Sequence, residues 1–126
     1  MIILNLTQHA ATAEQIAAGV CDGGAEFQDL VKSALNFTSL PTRADIEARA
    51  ETLATLAWVF IGCGSVQKVA MIGGAPYLMG ALECALIARG ITPVYAFSQR
   101  ESVEEVQPDG SVRKVNVFRH AGFVPA

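Results

Sequence analysis

The sequence predicts an α/β fold, a small Rossmann-like three-layer sandwich with a mostly parallel sheet and a C-terminal antiparallel hairpin. Three observations carry this reading. The apolar runs "MIILNL" (1–6), "KVAMIGG" (68–74) and "TPVYAFS" (92–98) have the length and unbroken hydrophobicity of strands buried on both faces. Strand, helix and strand follow one another from 68 to 98, the unit that makes a right-handed parallel crossover. Finally, "SVEEVQPDGSVRKVNVF" alternates about Pro108, Asp109 and Gly110, the turn chemistry of a hairpin.

After the first strand, Thr12 and Gln15 form a capping-box pattern, so a helix starts there and stops near Gly19. "GVCDGGAE" reads as loop, and "AEFQDLVKSALNF" then places Phe27, Leu30, Val31, Ala34 and Leu35 at helical spacing. Thr42 and Asp45 give a second capping signal after Pro41, with a long helix from Arg43 to Ile61. Its stripe runs through Ile46, Ala50, Leu53, Ala57 and Phe60, but its last turns are apolar all round. Such an end lies either deep in a core or against a second subunit, and in so small a domain the subunit is expected, making the chain a homodimer. Pro76 suits the first turn of a helix ending at Gly90, with Gly80 letting it pack on the sheet. In the hairpin, pairing Gln107 with Ser111 sets Val106 opposite Val112, Glu105 opposite Arg113, Glu104 opposite Lys114 and Val103 opposite Val115. These charge pairs account for Arg113 and Lys114 without a ligand. Arg100, Arg119 and His120 stay unexplained.

The chain of 126 residues, 52% hydrophobic, can bury one core, so residues 1–126 read as a single domain. No apolar stretch is long enough to span a bilayer and no basic segment precedes a short apolar one, so a cytoplasmic protein with no membrane partner is expected. Cys21, Cys63 and Cys84 are an odd number and far apart, which reads as buried or idle thiols in a reducing compartment. A formal charge of −3 gives no footprint for a long nucleic acid, although a small anion needs only local donors. Two histidines without a third ligand give no metal site, and no cofactor is expected.

Ligands of open parallel sheets bind outside the carboxyl ends of the strands. Thr7, Gln8 and His9 follow the first strand; Gly73, Gly74, Ala75 and Tyr77 follow the second; Ser98, Gln99, Arg100, Glu101 and Ser102 follow the third. "IGGAP" is either a tight turn or an anion cradle, and it matches neither the dinucleotide nor the nucleoside triphosphate fingerprint. The bland alternatives are that His9 caps the following helix or hydrogen-bonds its own loop, and that His120 is a polar residue at a strand end. A site rich in donors and poor in metal ligands can bind a phosphodiester. On an RNA-like phosphate it can also assist attack by the substrate's own 2′-hydroxyl, with no protein nucleophile.

The segments "LNLTQHAATAEQ", "MIGGAPYLMGAL" and "PVYAFSQRESVEEVQPDGSVRKVNVFRHAGF" give the chain a resemblance to the small stand-alone ring nucleases of type III CRISPR systems, similar to the CRISPR-associated Rossmann fold. It covers strand order and loop positions over most of the chain and rests on no exact motif. The resemblance implies a homodimer that binds a cyclic oligoadenylate, cyclic tetraadenylate first among them, across its axis. Metal-free cleavage then gives linear products with 2′,3′-cyclic phosphate ends. It also implies ligand-facing roles for Thr7, Gln8, His9, Gly73, Gly74, Ala75, Ser98 and Arg100. The catalytic set expected is His9 or His120 as acid or orienting donor, with Arg100 and Arg119 on the phosphate charge. Tyr77 and the Gly73–Ala75 amides would hold the ligand. No lysine stands at the strand ends, a departure from what a phosphate clamp requires. The remaining readings are a messenger-binding protein that does not cleave and an assembly protein without ligand.

Overall fold

A computed structural model describes residues 2–62 and 67–126. Five strands, β1 (Ile3–Leu6), β2 (Val20–Cys21), β3 (Val69–Ile72), β4 (Thr92–Val106) and β5 (Val112–Pro125), form one sheet in the order β2-β1-β3-β4-β5. The first four are parallel and β5 runs antiparallel to β4. The α/β class and the mostly parallel sheet are therefore those read from the sequence.

Strand alternation divides the interior. Leu4 and Leu6 of β1, with Ala70 and Ile72 of β3, face α2 (Ala25–Leu35), α3 (Arg43–Ile61) and α4 (Pro76–Ala88), where Val31, Leu53, Leu78, Leu82 and Leu86 complete the main core. Each such leucine taken from water contributes about 1.5–3 kcal/mol, which is what holds three helices on one face. Ile3, Val20, Val69, Met71 and Val94 point to the other face, with Ala11 and Phe123 packed against them. That third layer is thin, since α1 (Ala13–Ala17) is its only helix among the described residues. It packs beside β2 and the base of β5.

Both predicted capping boxes are present, Thr12 with Gln15 and Thr42 with Asp45, which is why α1 and α3 begin where the sequence places them. At the other end of α2, Arg49 donates to the carbonyls of Ser33, Ala34 and Asn36 at 2.7, 3.2 and 2.7 Å, taking acceptors that the helix leaves open. The apolar end of α3 is mostly core: Leu53, Ala54 and Ala57 are fully buried. Leu56, Trp58 and Ile61 are partly buried against that core, while Val59 and Phe60 are exposed beside Leu30, with the Phe60 ring 4.9 Å from that of Phe27.

Three expectations are corrected. Val20 and Cys21, read as loop, pair with Ile3 and Leu4 as a strand too short for periodicity to show. Gly80 does not serve packing on the sheet, since it is exposed and a β-carbon there would meet nothing within 4 Å. The third strand does not release a loop after Ser98. It continues past a bulge between Phe97 and Ser98 into the hairpin, because β5 supplies a hydrogen-bonding partner from Val94↔Pro125 out to Val106↔Val112. The four hairpin pairs predicted from Val103 to Val106 are all found, and Gly110 closes the turn at φ 85°. Cys63 lies outside the described residues; Cys21 and Cys84 are free thiols.

Candidate functional site

From β1 the chain crosses to β2 on one side, and β3 lies on the other, so the loops after β1 and β3 part and leave an opening at the carboxyl end of the sheet. Two adjoining clefts occupy it. The first, about 470 Å³, is bounded by Thr7, Gln8, His9, Thr12, Gln15 and Tyr95 over a floor of Met71 and Ile72. The second, about 400 Å³, lies between Asn36, Phe37, Ala75 and Tyr77. Gln8, Gly73 and Gly74 border both.

The polar turn after β1 is held from below by one side chain. Asn5 is buried, and its amide donates to the His9 carbonyl at 2.8 Å and to the Asp22 carboxylate at 2.7 Å. Its oxygen accepts from the Thr7 backbone N–H at 2.9 Å and from the Thr7 hydroxyl at 2.7 Å. Asp22 also accepts from the Ala11 N–H. All four hydrogen-bonding positions of Asn5 are used, so the turn is fixed by a satisfied buried network. Thr7 spends its hydroxyl on this network. The side chains of Gln8 and His9 stay exposed, 3.5 Å apart and outside it. His9 does not cap α1; Thr12 does.

After β3, Gly74 packs tightly, and a β-carbon there would stand 3.3 Å from the Met79 methyl. Ala75 then opens α4 with Pro76 at the first position and no side-chain cap. Pro76 has no N–H and the Leu78 N–H donates to the Ala75 carbonyl at 3.0 Å, so this end offers the Tyr77 N–H and the partial positive charge of the helix, at the edge of the second cleft. Across that cleft the Phe37 and Tyr77 rings are 5.9 Å apart, and the Arg49 guanidinium lies over the Phe37 ring, 4.7 Å from its centroid. Among the described residues, no Asp, Glu, Lys or Arg lines either cleft.

Tyr95 borders the first cleft and donates to Glu83 at 2.7 Å. Burial, reinforced by that carboxylate, pushes its phenol up to about 12. It is therefore neutral near pH 7, with its proton committed to Glu83.

The clefts bring together Thr7, Gln8, His9, Gly73, Gly74, Ala75 and Tyr77. Ser98, Arg100, Arg119 and His120 line neither, because continuous pairing carries β4 and β5 past the carboxyl ends of the other strands. Arg119 is bound to Glu101 at 3.4 Å and to Glu14 at 3.9 Å. His120 donates its backbone N–H to Glu14 at 3.1 Å and sets its ring 4.8 Å from Phe123, with Nδ1 buried and unpartnered. Arg100, opposite Phe118, makes no ion pair among the described residues.

Asn36, Phe37 and Tyr95 were not singled out by the sequence. Tyr95 sits in an apolar strand run, and Phe37 reads as the tail of α2; the break at Asn36 was the available signal. A larger groove, about 730 Å³, lies between α3 and α4 and meets the second cleft at Tyr77, but small residues and the exposed Arg43–Glu47 pair form much of its wall. Among the described residues, no three His, Cys, Asp or Glu side chains gather in a metal-binding group. Among the described residues no helix is long and apolar enough to cross a membrane.

A sequence profile described as the uncharacterized protein MJ1673 family matches residues 1–124. No curated protein and no solved structure matches the chain.

Proposed function

The chain belongs to the uncharacterized protein MJ1673 family, and from its clefts together with the resemblance of its sequence to ring nucleases we propose that it is a homodimeric, metal-independent ring nuclease. Its substrate is a cyclic oligoadenylate, cyclic tetraadenylate first among them, and cleavage switches off type III CRISPR signalling in the cytoplasm. The observation that carries this reading is the uncapped N-terminus of α4 set between two clefts at the point where the sheet's connections diverge. Phosphate seats itself on such N–H groups without a cation. Beside it, the Phe37 and Tyr77 rings offer stacking surface to a base, and the Gln8 and Asn36 amides can address an adenine edge.

In the proposed step the 2′-hydroxyl of one adenosine attacks its own 3′-phosphate. The new bond closes a 2′,3′-cyclic phosphate while the bond to the 5′-oxygen of the next nucleotide breaks. The 2′ proton passes to solvent, and the leaving 5′-oxygen takes a proton from the His9 imidazolium. Amides of the Gly73–Ala75 turn hold the non-bridging oxygens.

One observation favours a second reading, binding without cleavage: neither cleft has a cationic side chain, and Arg119 is already engaged by two glutamates. Incubating the purified protein with cyclic tri-, tetra- and hexaadenylate in excess EDTA, then separating products by chromatography, decides between them. Short oligomers ending in cyclic phosphate support the nuclease. An unchanged ring that elutes with the protein supports the binder, and an unchanged ring that elutes alone refutes both.

A further inference from the structure

The β4–β5 ribbon is anchored at one end only. β4 pairs with β3 through Thr92, Pro93 and Val94, whereas its pairing with β5 continues out to Val106↔Val112. Most of its length is thus a two-stranded ribbon, which in water is marginally stable by itself.

One face of the ribbon is ordered by charge. Beyond the bulge at Phe97 and Ser98, alternation puts Gln99, Glu101, Val103 and Glu105 of β4, with Phe97 below them, on the same side as Arg119, Val117, Val115 and Arg113 of β5. Half-buried valines 103, 115 and 117 form the middle of this face, with exposed Phe97 at its base. The β4 margin is acidic and the β5 margin basic. Glu105 and Arg113 stand opposite each other in register but form no ion pair among the described residues.

A face laid out this way is complementary to itself. Turning a second copy by 180° about an axis parallel to the strands lays its acidic margin over this chain's basic one. Glu105 then meets Arg113 of the other copy twice, and Val103 meets Val115 twice, as a two-fold interface requires. An axis across the strands would instead stack like charge on like. A uniformly acidic partner is repelled by one margin and a uniformly basic one by the other. We infer that this ribbon face docks a second copy of the chain, forming a two-fold dimer around Val103, Val115 and Val117. The inference rests on the homodimer proposed above, to which it assigns a face, and does not depend on what the clefts bind.

Sedimentation equilibrium on the full chain tests it. The wild type is expected at twice 13.3 kDa. Glu105→Arg and Arg113→Glu each set like charges together within the ribbon and across the interface, so each alone should sediment as a monomer. Mixed in equal amounts, the two variants are opposite at both contacts between copies, and a heterodimer should form. Far-UV circular dichroism checks that both stay folded. A monomeric wild type, variants that stay dimeric alone, or a mixture of folded variants that does not associate would each overturn the inference.

Discussion

The side-chain amide of Asn5 donates to the Asp22 carboxylate at 2.7 Å, tying the end of β1 to the segment after β2. Because Asn5 also holds Thr7 and the His9 carbonyl, this contact makes the candidate site part of the core rather than an appended loop. Replacing Asn5 by Ala leaves several of these groups without a partner. The expected cost is about 1–3 kcal/mol, read from the urea midpoint, together with weaker ring binding.

Arg49 acts at the other wall. Arg49→Ala removes donors from three carbonyls at the end of α2 and the stacking support behind Phe37. A loss of about 1.5–3 kcal/mol in chemical denaturation is expected, on the scale of hydrogen bonds to a charged group. Arg49→Lys should recover little, since an ammonium lacks the planar fork.

Tyr95 gives a pH signature. Its folded value, about 12, lies above the ordinary tyrosine value of 10.0, so the folded protein holds this proton where the unfolded chain releases it. The stability linked to Tyr95 is complete below pH 10 and is lost as pH rises from about 10 to about 12. In a Tyr77→Phe background the phenolate absorbance should appear near the upper value, and a midpoint near 10 would contradict the Glu83 contact.

His9 is expected to act on the leaving oxygen. His9→Ala should lower kcat by about 10²–10⁴-fold while leaving the ring's Kd nearly unchanged, measured by single-turnover kinetics and calorimetry.

Arg119 should matter less than its charge suggests. Its partners are exposed carboxylates, so Arg119→Ala should change stability by less than about 1 kcal/mol. Ring affinity should be unaffected, since Arg119 lies outside both clefts.

What the sequence reveals follows from how local each signal is. Caps at Thr12 and Thr42, the Gly110 turn and the hairpin register depend on neighbours a few residues away, and all are found. The cluster at Thr7–His9 and Gly73–Tyr77 is legible because strand ends mark the carboxyl edge of a parallel sheet. Placing Arg100 and Ser98 at that edge fails for a non-local reason: whether β4 stops or continues is decided by β5, some twenty residues later. Asn5 could not be recognised as the anchor, because nothing in "ILNLT" says that Asp22 returns to meet it.

The most direct test of the account is a titration of ¹⁵N-labelled protein with cyclic tetraadenylate in EDTA at low temperature, followed by amide chemical shifts. The account predicts saturable shifts centred on Gln8, His9, Gly73, Gly74, Ala75 and Tyr77, with the Asn36–Phe37 amides joining them. Shifts confined to the α3–α4 groove or the hairpin tip, or none at saturating ring, would contradict it.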